Sequence, residues 1–172
     1  MPRYDRFSVL LHWLMATLLM AQVALGWWMQ EIPKDTTGTR AWWFNAHKSI
    51  GMALGLLALV RVAWAARRAR VEPVSMGAAL QAIARASHRL LYALMLLLPL
   101  SGFLGSVFSG YPVRFFGLRL PQMAQRWDAG KEWLSAVHAA AAWGLVALIA
   151  LHVLAALYHQ YIRRDELLQR MR

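Results

Sequence analysis

The chain has 172 residues, of which 59% are hydrophobic and only 16% are charged, so it is far more apolar than a soluble domain of this length. It contains no cysteine, which excludes disulfides, iron–sulfur clusters and a heme attached through a C-x-x-C-H motif. The formal net charge is +11, but the basic residues lie at the ends of apolar runs, which favours membrane topology over nucleic-acid binding. The composition predicts a protein that has the lipid bilayer as its solvent.

Four apolar segments follow one another along the chain. The first, third and fourth are free of charged residues over the length that a helix needs to cross about 30 Å of hydrocarbon. The second contains Lys48 near its start and Arg61 near its end, where long side chains can reach an interface or a bound anion. The sequence therefore predicts one all-α domain over residues 1–172, a transmembrane four-helix bundle with helices at about 7–30, 46–66, 88–109 and 133–162. A short amphipathic surface helix is expected over residues 76–86.

The arginines orient the predicted bundle. With four crossings, one side receives Arg3, Arg6, Arg61, Arg67, Arg68, Arg70, Arg85, Arg89, Arg163, Arg164, Arg170 and Arg172. The opposite side receives fewer basic residues, and acidic residues dilute them. The positive-inside rule therefore predicts a multi-pass membrane protein with both termini in the cytoplasm.

Histidine is costly inside a membrane, and all six histidines lie in or next to the predicted spans: His12, His47, His88, His138, His152 and His159. His138 and His152 are fourteen residues apart, so they lie within about 40° of one another on one helical face, separated by about 21 Å along the axis. They are too far apart to share a metal ion. Because His12 lies at the depth of His152, and His47 at that of His138, the sequence predicts two cross-helix pairs.

Facing imidazoles in a four-helix bundle are what a six-coordinate b-type heme requires, so two hemes b are predicted. A zinc or copper site is a weaker alternative, because such sites usually need three or four ligands. A proton relay or transporter would usually add carboxylates within the spans or paired helix breaks, whereas only Pro99 interrupts a span here. A heme-free transporter or scaffold remains the alternative from another class.

Five motifs carry a family resemblance: S-V-L-L-H-W-L-M at 8–15, N-A-H-K-S-I-G at 45–51, H-R-L-L-Y-A-L at 88–94, L-P-L-S-G at 98–102 and H-A-A-A-A-W-G-L-V-A-L-I-A-L-H at 138–152. Together they resemble the bacterial cytochrome b561 family, which groups with the cytochrome b subunits of nickel–iron hydrogenases and formate dehydrogenases. The resemblance covers nearly the whole chain. It implies that His12 and His152 ligate the inner heme, and that His47 and His138 ligate the outer heme.

Four further residues are candidates for contacts with the cofactors. Arg61 and Lys48 are expected to pair with heme propionates, which are anions. His88 is a candidate for binding a quinone carbonyl or a propionate, and its alternative is an interfacial side chain. His159 is expected either to line a quinone pocket or to meet lipid phosphates.

The resemblance implies a location in the bacterial inner membrane and electron transfer across it. Free-standing family members imply superoxide oxidation outside and ubiquinone reduction, with the anion steered by Arg114, Arg119, Arg126 and Lys131. The alternative is an electron-transfer subunit whose loops around Arg40 and Lys131 dock on a periplasmic dehydrogenase or hydrogenase. The sequence leaves open whether the chain is such an oxidoreductase or an electron carrier.

Overall fold

The computed structural model describes residues 4–34, 36–68, 77–165 and 167–171. Within them lie four long α-helices: α1 (Arg6–Glu31), α2 (Thr39–Arg67), α3 (Ala78–Val107) and α4 (Asp128–Tyr158). They contain 26 to 31 residues each, which at about 1.5 Å per residue gives roughly 39–47 Å. All four are long and apolar enough to cross a membrane, and this confirms the predicted all-α fold with four candidate spans.

The helices pack in chain order, α1 against α2, α2 against α3 and α3 against α4. Neighbouring ends meet: Arg40 near the start of α2 donates to the Gln30 carbonyl near the end of α1 over 3.0 Å, and the Trp127 N–H before α4 donates to the Phe108 carbonyl after α3 over 3.1 Å, so these neighbours are antiparallel. We call the end of the bundle where α1 begins and α4 finishes the termini end, because there the Tyr4 backbone N–H donates to the Arg170 carbonyl over 3.2 Å. The opposite end is the loop end.

Large apolar side chains mostly point away from the bundle axis. The buried cluster is small and consists of Leu11, Met15 and Ala58. By contrast, Leu10 is 66% exposed and Leu151 is 61% exposed, as are many other large apolar side chains of the four helices. Apolar surface of this extent indicates a lipid environment, where such exposure carries no hydrophobic penalty.

Three helices begin earlier than the hydropathy pattern predicted, since α2 begins at Thr39, α3 at Ala78 and α4 at Asp128. The predicted surface helix over 76–86 is wrong, because residues 78–86 form the first turns of α3 and Met76 lies outside the described residues. Arg85 and Arg89 interrupt the apolar pattern, but arginine is a good helix former. Hydropathy thus marked the most apolar part of each helix rather than its ends.

A small hairpin covers part of the loop end. Strands β1 (Arg114–Phe115) and β2 (Leu118–Arg119) pair antiparallel, and the two turn residues between them both have positive φ. The Ser49 hydroxyl, on a residue that is 2% exposed, accepts a hydrogen bond from the Phe116 N–H over 2.9 Å. The hairpin is thereby attached to α2 two residues from His47.

Asp5 joins two helices at the termini end. Its carboxylate caps α1 by accepting the Ser8 N–H over 2.9 Å, and it forms an ion pair of 2.8 Å with Arg68 beyond α2. The Trp64 indole donates to the same carboxylate over 3.3 Å. Hydrogen bonds from Ser8, followed by those from Arg68 and Trp64, hold the pKa of Asp5 well below its usual range.

The chain beyond α4 folds back at the same end. A π-helical turn (His159–Arg163) continues α4, and a short 3-10 helix (Leu167–Met171) follows. The Trp13 indole donates to the Met171 carbonyl over 2.9 Å, so this last segment lies against α1.

Candidate cofactor sites

The four predicted ligand histidines lie in two facing pairs. The ring centroids of His12 and His152 are 6.4 Å apart, and those of His47 and His138 are 6.3 Å apart. Helix α4 contributes one histidine to each pair, and the partners come from α1 at the termini end and from α2 at the loop end. The structure thus brings together the pairs that depth along the helices predicted.

The separation within each pair suits a metal between the rings. Two imidazoles bound on opposite sides of a metal, with bonds of about 2.0 Å, have ring centroids about 6.3 Å apart. Both pairs are within 0.1 Å of that value. The residues therefore fit an iron with two axial imidazoles, which is the ligand set of a b-type heme.

His138 is held in the tautomer that iron ligation requires. Its Nδ1–H donates to the Leu98 carbonyl over 2.9 Å, and the Ser101 hydroxyl lies 3.3 Å from the same nitrogen. Leu98 directly precedes Pro99 inside α3. A histidine that donates through Nδ1 keeps its Nε2 lone pair free, and metal-bound histidines usually have such a partner.

Two glycines leave room for the rings of the loop-end pair. A Cβ at Gly26 on α1 would lie 3.0 Å from His47 Cε1, and a Cβ at Gly102 on α3 would lie 3.1 Å from His138 Cε1. Both distances are shorter than ordinary contacts, so a larger residue would push the imidazole aside. Sequence reasoning missed these two roles, although Gly102 belongs to the L-P-L-S-G motif.

The termini-end pair has charged and polar neighbours. Arg61 lies with Nη2 3.1 Å from His12 Nδ1, and its Nε donates to the Tyr92 hydroxyl over 3.3 Å. The ring of His88, from α3, has its centroid 5.5 Å from that of His152. This separation is shorter than the one within each pair, so His88 stands beside His152 rather than opposite it across a metal.

The other two candidates for cofactor contacts, Lys48 and His159, have different surroundings. Lys48 is half-buried next to His47 and makes no ion pair with any described residue. His159 lies in the π-helical turn, where its Nδ1 is 2.5 Å from the Asp165 carboxylate. Its imidazole is therefore already engaged by an acidic partner.

Across the described ranges, no group of three or more histidine, cysteine, aspartate or glutamate side chains is placed to hold a metal ion. The described ligand candidates instead form two pairs of histidines.

A bundle of four apolar helices with two facing histidine pairs defines a membrane-embedded cytochrome of the b type. More narrowly, the chain belongs to the prokaryotic cytochrome b561 family, whose model matches residues 3–172. The predicted family is thereby confirmed. It follows that the chain is a multi-pass membrane protein that binds b-type heme and transfers electrons.

Three relatives match over nearly the whole chain. Cytochrome b561 homolog 2 of Escherichia coli is 33% identical over 98% of this chain and 90% of its own length. Cytochrome b562 of Cereibacter sphaeroides is 27% identical over 99% and 95%, respectively. A probable superoxide oxidase CybB of Yersinia pestis is 28% identical over 98% and 95%.

Proposed function

We propose that the chain binds two b-type hemes and passes electrons between them across the membrane, with His12 and His152 as ligands of one heme and His47 and His138 as ligands of the other. The observation that carries this proposal is the ring separation of 6.4 Å and 6.3 Å in two pairs that share helix α4. The two ligands on α4 are about 21 Å apart along the helix axis, so two hemes would span much of the hydrocarbon. We further propose that the whole chain is one domain.

The hemes would supply the one-electron iron couple, and the chain's residues set its surroundings. The His138 N–H bonded to Leu98 orients that ligand. Arg61 is always protonated, so its contact with His12 Nδ1 leaves the proton of that ring on Nε2. Ligation of iron through His12 Nε2 needs the opposite tautomer, with the proton on Nδ1. Arg61 would therefore turn from His12 to a heme propionate. At the loop end, Lys48 is the cation proposed to pair with a propionate.

We assign the termini end to the cytoplasm and the protein to the bacterial inner membrane. Arginines concentrate at this end, among them Arg6, Arg67 and Arg68. The loop end has exposed tryptophans, including Trp28 and Trp42. The positive-inside rule and the interfacial preference of tryptophan both support this orientation.

The proposed reaction is superoxide oxidation coupled to ubiquinone reduction. Two superoxide anions would each give one electron at the loop end and become O₂, and the two electrons with two protons would convert ubiquinone to ubiquinol. Support comes from the relative whose name includes superoxide oxidase and from Arg114 and Arg119, which are exposed and lie opposite each other in the hairpin. Like charges directly opposite each other are unfavourable, and an anion would relieve their repulsion.

The remaining cation and histidine candidates differ in how well they fit this reaction. Lys131, at the loop end, would add to the field that attracts superoxide, whereas Arg126 is already paired with Asp128 over 2.8 Å. His88 and His159 are the candidates for quinone contact at the termini end. His88 is the stronger, because it lies beside His152 while His159 is engaged by Asp165.

A spectroscopic experiment tests the proposal in two stages. The protein is purified in detergent, and its reduced-minus-oxidised spectrum is recorded together with the ratio of heme to protein. Two hemes per chain are expected, and one or none would contradict the ligand assignment.

Superoxide is then mixed with the oxidised protein and ubiquinone, with added superoxide dismutase as the control. Hemes that dithionite reduces but superoxide does not would contradict the donor and favour a subunit that receives electrons from a protein partner.

A further inference from the structure

Gln22 is a buried polar residue in the middle of α1, and its side chain meets the backbone of His47. It is 8% exposed, and its Nε2 donates to the His47 carbonyl over 2.6 Å. Gly51, one turn beyond His47 on α2, makes room for this amide, since a Cβ there would lie 3.2 Å from Nε2. A buried amide in a membrane span is costly unless both of its polar atoms are used.

Two buried polar atoms at this contact have no hydrogen-bond partner among the described residues. They are Gln22 Oε1, which can only accept, and His47 Nδ1, which carries a proton when Nε2 binds a metal. The hydrogen bond from Nε2 to the His47 carbonyl satisfies the donor of the Gln22 amide but not its acceptor, Oε1. An unused acceptor and an unused donor thus lie on two side chains whose residues are already in contact.

The opposite ligand of the same pair shows what is missing at His47. His138 Nδ1 has the Leu98 carbonyl at 2.9 Å, whereas His47 Nδ1 has no such acceptor in the described structure. Metal-bound histidines almost always donate their second ring N–H to a carboxylate, carbonyl or water. Gln22 carries the unused acceptor of this region.

We propose that Gln22 is the positioning residue of the loop-end heme, with its Oε1 accepting the His47 Nδ1–H directly or through one buried water molecule. This inference rests on the proposed ligation of that heme by His47 and His138. The bond would fix the tautomer and orientation of His47 and increase its basicity. A more basic imidazole favours ferric iron, so Gln22 lowers the reduction potential of the loop-end heme and slows its loss.

The test uses the full-length protein with its hemes in detergent. Gln22→Met removes both polar atoms at similar volume, and Gln22→Glu keeps an acceptor but loses the amide donor. Gln30→Met is the matched control, because the Gln30 amide donates over 2.9 Å to the Gly26 carbonyl of its own helix. A redox titration gives the potential of each heme, and transfer to a heme-scavenging protein gives the rate of heme loss.

We expect Gln22→Met to make the potential of the loop-end heme more positive and to accelerate its loss by about 10–100-fold, the range found for partners of metal ligands. Gln22→Glu should make that potential more negative, because an acidic acceptor makes His47 more basic. The termini-end heme and the Gln30→Met variant should be unchanged.

An unchanged loop-end potential in Gln22→Met would overturn the inference. Equal shifts of that potential in Gln22→Met and Gln22→Glu would also overturn it, because they would indicate that Gln22 serves only as a contact between helices. If Gln22→Met does not fold, Gln22→Glu decides alone, and a potential equal to that of the unaltered protein overturns the inference. The proposed function fails separately, if His47→Ala retains the loop-end heme.

Discussion

The loop-end and termini-end histidine pairs have nearly equal ring separations but very different neighbours. The groups in contact with the two rings of the loop-end pair are neutral, namely glycines against both rings and a backbone carbonyl on His138, although Lys48 directly follows His47 in the chain. The termini-end pair has the Arg61 guanidinium in contact with His12 and a third histidine beside His152. A nearby positive charge favours ferrous over ferric iron and so raises a heme potential. With the proposed ligation, one ligand set would therefore give two different potentials, with the termini-end heme the more positive.

Loss of one loop-end ligand should separate the two histidine pairs completely. His138→Ala should remove the loop-end heme and lower the heme content from two per chain to one, because one imidazole cannot hold a six-coordinate heme. His159→Ala is the control and should retain both hemes, since His159 lies outside both pairs. Heme content is measured by absorbance against protein concentration. Loss of both hemes from a folded His138→Ala protein would show that the pairs are not independent.

A second substitution tests the tight packing around the loop-end pair. Gly102→Leu should displace the His138 ring, because even a Cβ at this position would lie 3.1 Å from Cε1. Overpacking costs about 1–3 kcal/mol, so retention of the loop-end heme should weaken by about 5- to 150-fold. Gly144→Ala is the matched control, since its Cβ would make an ordinary contact of 3.8 Å with Leu94. Equal heme loss in the two variants would contradict the account.

Arg61→Leu tests the charge at the termini end. Arg61 would pair with a propionate of the termini-end heme, and for a charge removed at roughly 8 Å and an effective dielectric constant of about 20 the contribution is on the order of 2 kcal/mol. For one electron this equals about 90 mV, so the potential of the termini-end heme should fall by roughly that amount. Arg67→Leu removes an exposed arginine of the same helix and should have little effect. A redox titration in which the loop-end heme shifts instead would reverse the assignment of the two ends.

Asp5 at the termini end should make a small contribution to the stability of the folded protein. Asp5→Ala removes the cap of α1 and the link to Arg68, and should cost about 1 kcal/mol at neutral pH. Because folding lowers the pKa of Asp5, its contribution is complete above about pH 4 and is lost as the pH falls further. The difference in thermal stability between the two proteins should therefore shrink on acidification below pH 4. Asp128→Ala at the loop end is the control, since its ion pair is exposed and should contribute little.

Much of this bundle could be predicted from the sequence. Apolar runs of membrane length marked the four helices, and the fourteen-residue spacing of His138 and His152 set two depths at which His12 and His47 were the partners. Both features are local to one helix or depend on counting along it. The helices and the depths of the histidines can therefore be predicted without knowing how neighbouring helices are rotated about their axes.

The features that distinguish the two sites depend on rotation between helices. Gln22 is a polar residue within an apolar run, but its partner is seen only where α1 meets α2. The contact of Gly102 with His138 and that of Arg61 with Tyr92 likewise join residues far apart in sequence. Helix starts were missed for another reason, since arginines near the start of α3 lower hydropathy without breaking the backbone.

The most direct test of the account is a redox titration of the purified protein with its heme content measured on the same sample. We expect two hemes per chain and two one-electron components, of which the more positive one disappears in His12→Ala and the more negative one in His138→Ala. A single heme per chain, or two components that respond to these substitutions in the opposite order, would contradict it.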